Sequence, residues 1–111
     1  MPDVYAVVVR VDGTIETFTH PVSVGEIGSV IGDVDLAAYT IAAPCPPSAS
    51  LTMLVDDDAY ARGRGWNPVA TSLYSRRWDV LGDVAVVNCD GSPLHAEHVA
   101  TILAAGRILT G

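Results

Sequence analysis

The segment VYAVVVRVDGTIETFT, Val4 to Thr19, decides how the rest of the chain can be arranged. Its first half, VYAVVVRV, is rich in β-branched residues, whose stiff side chains suit an extended, pleated backbone. Asp12-Gly13 comes next, a pair favoured in two-residue hairpin turns because both positions there need positive φ. TIETFT then returns as a second strand. A two-residue turn at this point sets Val7 opposite Phe18 and Val9 opposite Glu16. An acid facing a core valine leaves two readings open. Either the first strand is apolar on both faces, or the register is shifted.

Beyond the hairpin, hydrophobic period and capping residues divide the chain into elements. Ser23 and Glu26 form a capping box ahead of Val24, Ile27, Val30 and Ile31, which share one helical stripe that Gly32 ends. Strands are expected over 37–43 and 51–55, separated by the proline loop around APCPPS. NPVATSLYSRR predicts a short helix with Asn67 as its cap and Pro68 at its first position, where the missing N–H costs nothing. Val69, Ala70 and Leu73 make its inner stripe, and Arg76 and Arg77 fall at its carbonyl end, where the dipole favours positive charge. DVAVVN, after Gly82, reads as a buried strand; Ser92-Pro93 opens a last helix running to Ala105 and closed by Gly106. The order ββαββαβα predicts one α+β domain over 1–111. Its sheet of about five strands is mixed or mainly antiparallel, with two or three short helices packed on it.

Composition bounds the function. Half of the 111 residues are hydrophobic and 17% are charged, which gives one domain with its own core and argues against disorder. The net charge of −7 favours solubility and disfavours nucleic acid and anionic membranes as partners. No apolar run approaches the length of a membrane span, and Asp3 interrupts any signal-type opening, so the expected address is the cytoplasm. Cys45 and Cys89 match no metal or redox spacing and are expected as reduced thiols, with a disulfide only if the two strand ends are neighbours. All basic residues are arginine and most acids aspartate, which reads as genomic background.

One segment breaks the pattern. VDDDAYARGRGWN, Val55 to Asn67, sets Arg-Gly-Arg-Gly-Trp directly after three aspartates. From Asp56 to Asp79 there are four Asp and four Arg, with both tryptophans and two of the four tyrosines. Arg62 and Arg64 can each grip a carboxylate or phosphate in two places, and Trp66 offers a flat stacking surface. Tyr60, Tyr74, Arg76 and Arg77 complete a candidate binding set, since Arg, Trp and Tyr dominate interface energies. The opposing reading is a solvated turn whose arginines are neutralised by Asp56, Asp57 and Asp58, with Trp66 folded into the core.

Other candidates carry less. Adjacent residues on a strand alternate in direction, so at most Asp56 and Asp58 share a face, and no calcium loop completes them. His95 and His98 lie three apart on the last helix, where His95 falls at the centre of the Val99, Ile102, Leu103 stripe. A hydrolase using this helix with Cys89 is the enzymatic alternative, but no nucleophile elbow or phosphate loop accompanies it. No cofactor or metal is expected.

The stretches LTMLVDDD, WNPVATSLY with Asn67, Ala70 and Leu73, LGDVAVV, and the opening YAVVVRVDGTIE resemble a family of small domains of unknown function from bacteriophages and mobile elements of actinobacterial hosts. The glycine-arginine insertion and the last helix depart from that family's core. The resemblance implies an accessory protein and no reaction. Together these features point to a non-enzymatic binding protein that engages a host protein or a small anionic ligand through the Arg-Gly-Arg-Gly-Trp loop. Self-association without a ligand, as a homodimer, is the third reading, because the apolar content is generous for a monomer.

Overall fold

The computed structural model describes residues 3–32, 35–40, 51–74, 79–88 and 90–110. Five strands, β1 (Ala6–Val9), β2 (Ile15–Phe18), β3 (Leu36–Thr40), β4 (Leu51–Asp56) and β5 (Val84–Asn88), join three helices, α1 (Val24–Ile31), α2 (Pro68–Leu73) and α3 (Ala96–Thr110). The expected α+β order ββαββαβα is the one found. The strands form one sheet in the order β2-β1-β5-β4-β3, and every pairing is antiparallel.

The opening hairpin settles both readings left by its sequence. Its loop has three residues, because Arg10 N–H donates to Thr14 O and Gly13 takes a φ of 89°. That is a turn closed by a left-handed glycine, with Asp12 Oδ1 accepting from Thr14 N–H at 2.9 Å. The same hydrogen bond holds the Asp12 carboxyl below the usual aspartate range. The register shifts accordingly: Ala6 faces Phe18, Val7 faces Thr17, Val8 faces Glu16 and Val9 faces Ile15. Every residue of β1 is nevertheless buried, because the strand is apolar on both faces. Glu16 is accommodated by Arg10, whose Nε donates to it at 3.0 Å while Nη1 donates to Asp83 at 2.9 Å. Asp83 first, then Glu16, raises the Arg10 pKa against the opposing effect of burial.

Two apolar layers sandwich the sheet. On one face Val7, Val9, Met53, Val55, Val84 and Val86 pack with Val69, Ala70 and Leu73 of α2 and Val99 and Ile102 of α3. On the other, Ala6, Val8, Ala85 and Val87 pack with Ile27 and Ile31 of α1, with Phe18, Val22, Leu36 and Leu54 at the margin. The Ser23–Glu26 capping box is present and α1 ends at Gly32. Val24, expected on its inner stripe, is instead exposed, because it is the first helical residue and overhangs the packed turn.

The last helix departs from expectation at both ends. It begins at Ala96 and runs through Gly106 to Thr110. Gly106 is buried against Ile15, where an added Cβ would meet the Ile15 Cδ1, so it is a packing contact and not a stop. Ser92 and Pro93 instead satisfy Asn88, whose Nδ2 donates to Pro93 O at 2.8 Å and Ser92 Oγ at 3.3 Å.

Candidate functional site

The acidic end of β4 begins the site. Asp56 is the last residue of that strand and its side chain is 3% exposed. Oδ1 accepts from Asp58 N–H at 2.9 Å, turning the chain out of the sheet. Oδ2 stands 3.3 Å from Arg64 Nε and 3.4 Å from Arg62 Nε. Burying a carboxylate without partners is costly, and two guanidinium groups relieve that cost here. The loop is a wound turn, not a loose protrusion: Arg62 N–H donates to Asp58 O, Gly63 N–H to Tyr60 O and Arg64 N–H to Ala59 O. Gly63 supplies the left-handed backbone, with a φ of 68°.

Arg64 is a strut as well as a charge. Its stem lies against Gly82 and its guanidinium over Gly32, the C-cap of α1. A Cβ at Gly32 would lie 2.7 Å from the Arg64 Nη2, so the close approach of arginine to helix end depends on glycine there. One side chain thus joins the loop, the end of α1 and the approach to β5.

Beyond the arginines, Trp66 and Leu81 face each other across an isolated antiparallel bridge. Gly82 N–H donates to Gly65 O at 2.7 Å, and Asn67 N–H donates to Val80 O at 2.8 Å. Those two bonds flank a non-hydrogen-bonded pair, the kind whose side chains approach most closely. Asn67 anchors this bridge from beneath. It is fully buried, and its Nδ2 donates to Val9 O at 3.0 Å and Gly82 O at 2.9 Å. Its Oδ1 accepts from Ala70 N–H, capping α2 as its place in the sequence predicts.

What the loop shows to solvent is therefore aromatic and acidic. Tyr60 is 88% exposed and Trp66 is 55% exposed. Arg62 and Arg64 retain partial exposure, but their charge is turned to Asp56. Tyr60 also borders a depression of about 220 Å³ lined by Val55, Asp56, Asp57, Ala59, Asp79, Val80 and Leu81. Apolar residues line its floor, while Asp57 and Asp79 are both exposed. Tyr74 lies apart from this group, half-buried against the core beneath α2. Arg76, Arg77, Cys45 and Cys89 lie outside the described residues.

Asp57 was marked in the sequence only as one of three aspartates beside the arginines, and Leu81 was not marked at all. Leu81 and Asp79 reach the loop only through the Trp66–Leu81 bridge, a pairing without a local signal. The histidine helix also differs from its wheel. His98 is the buried member, at 4%, and His95 is exposed, because the helix starts at Ala96 and His95 precedes it. The two rings meet edge to face with centroids 5.5 Å apart. Among the described residues, Nδ1 of His98 has no hydrogen-bond partner.

Among the described residues, no group of three or more His, Cys, Asp or Glu side chains could hold a metal, and no helix is long and apolar enough to cross a membrane. Comparison of the chain with protein-family models, curated proteins and solved structures finds no match.

Proposed function

We propose that the protein is a non-enzymatic binding protein whose working surface is the ledge of Tyr60, Trp66 and Leu81 with the acidic depression beside it. One observation carries the reading: the aromatic rings face solvent while both arginines are turned inward to Asp56. Inward guanidinium groups weaken the case for a small anionic ligand and favour a protein partner with basic side chains. A lysine or arginine has an apolar stem for Val55, Ala59, Val80 and Leu81, and a cationic head for Asp57, Asp79 and the Tyr60 ring. The resemblance to phage and mobile-element domains supports an accessory role. In that setting the partner is a host protein, met in the host cytoplasm.

The test is an NMR titration with two short peptides, one alternating arginine and leucine, the other glutamate and leucine. The basic peptide is expected to shift Tyr60, the Trp66 indole N–H, Leu81 and Asp79, and to release as salt screens the carboxylates. Trp66→Ala and Tyr60→Ala should each weaken it by about tenfold, the range of an interface anchor. Shifts confined to the Arg62 and Arg64 guanidinium resonances with the acidic peptide would restore the anionic-ligand reading. Silence with both peptides removes the ledge as a site.

A further inference from the structure

We propose that β3 is a dimerisation edge: two copies pair β3 with β3 antiparallel about a twofold axis at Ala38, fusing two five-stranded sheets into one. The argument starts from hydrogen-bond parity. Asp57 N–H donates to Asp35 O at 3.0 Å, one step beyond the Leu36–Asp56 pair. Opposed residues alternate between hydrogen-bonded and non-hydrogen-bonded pairs along an antiparallel ladder. Ala37 and Tyr39 therefore bond to β4, and Leu36, Ala38 and Thr40 turn their backbone N–H and C=O groups to the open side. β3 is the last strand of the sheet, and among the described residues no hydrogen bond reaches those groups.

The two edges of the sheet differ in how they are guarded. β2 carries Glu16, and Ile15 is packed against Gly106 of α3. Edge strands are normally blunted in this way, by charge or by cover. β3 reads Leu-Ala-Ala-Tyr-Thr, with no charge and no proline. The main helix contacts run between α2 and α3 and from α1 to β4 and β5, leaving β3 attached chiefly to β4. Leu36, and Leu54 on the neighbouring β4, are only partly buried.

A second copy suits this edge despite a net charge of −7 per chain. A twofold axis at Ala38 sets Leu36 opposite Thr40, Ala37 opposite Tyr39 and Ala38 opposite itself, so no charge faces its like. The acidic ends of the two strands are thrown apart. The two Asp35 residues lie about 20 Å apart along the pair, six rises of ~3.4 Å, well beyond the ~8 Å screening length. Asp56, opposite Leu36, is already neutralised by its arginines. This dimer is independent of the aromatic ledge and stands or falls without it.

Native mass spectrometry and sedimentation equilibrium should give twice the chain mass at micromolar concentration. Amide hydrogen exchange should find Leu36, Ala38 and Thr40 as protected as Ala37 and Tyr39. Ala38→Pro removes a donor that only a partner strand uses, and proline is tolerated on an open edge. This variant should still unfold cooperatively, lose any dependence of its melting temperature on protein concentration, and fall to a single chain. A monomeric wild type with fast exchange at Leu36, Ala38 and Thr40 overturns the proposal. So does a dimer that survives Ala38→Pro with those amides still exchanging fast, since it must use another surface. If Ala38→Pro does not fold, the exchange pattern of the wild type alone decides.

Discussion

Asn67 does with one amide what three separate residues would otherwise do. Its two N–H donors satisfy carbonyls on Val9 and Gly82, and its oxygen caps α2, so β1, the bridge strand and the helix are pinned at one buried point. Only an amide offers donors and an acceptor in that arrangement. Asn67→Ala removes the cap and the two buried hydrogen bonds to Val9 O and Gly82 O, each worth about 1 kcal/mol, so a loss of about 3 kcal/mol is expected. Asn67→Asp keeps the cap acceptor but turns a carboxylate toward the two carbonyls, and should be worse than alanine. Denaturant unfolding of the two variants measures the ranking; alanine faring worse than aspartate would show that the cap alone matters. The capping role was legible from Asn-Pro before an apolar stripe. The two long-range donors were not, because Val9 lies 58 positions away and nothing in either local sequence marks the contact.

Among the elements, the Arg-Gly-Arg-Gly-Trp loop divides its labour. Arg64 braces Gly32 and Gly82 and joins Asp56, whereas among the described residues Arg62 pairs only with Asp56 and is the more exposed of the two, at 43% against 34%. Partly exposed ion pairs contribute little, so packing along the stem should set the difference. Arg64→Ala is expected to cost about 1–2 kcal/mol and Arg62→Ala less than about 1 kcal/mol. Thermal unfolding compares them directly, and equal losses would mean that charge, not the strut, holds the loop. The sequence marked this loop as unusual by composition, and its solvated-turn reading holds in part. The aspartate does neutralise the arginines, yet Trp66 is not sealed in the core. Which groups face outward depends on a single buried carboxylate, and burial is a property of the assembled sheet.

Across the molecule, the sheet is unequally covered. Two helices press on the Met53 and Val86 face, while eight residues of α1 serve the Leu54 and Val87 face. Met53→Ala should therefore cost about 2–5 kcal/mol as a fully buried truncation, and Leu54→Ala about 1–2 kcal/mol, since its side chain is only partly buried. Comparable losses at the two positions would show that the α1 face is as well packed as the other. The succession of strands and helices along the chain, the α1 capping box, the α2 cap and the burial of β5 were legible from local pattern. Alternation, β-branching and capping act over a few residues, so they are written in the chain itself. Tertiary structure alone decided the order of strands within the sheet, the one-residue register shift at Gly13, the inward turn of the two arginines, the burial of His98 in place of His95 and the place of β3 at the end of the sheet. Each of these depends on contacts between segments far apart in sequence, where packing and the satisfaction of buried polar groups choose among arrangements that local preferences leave equal.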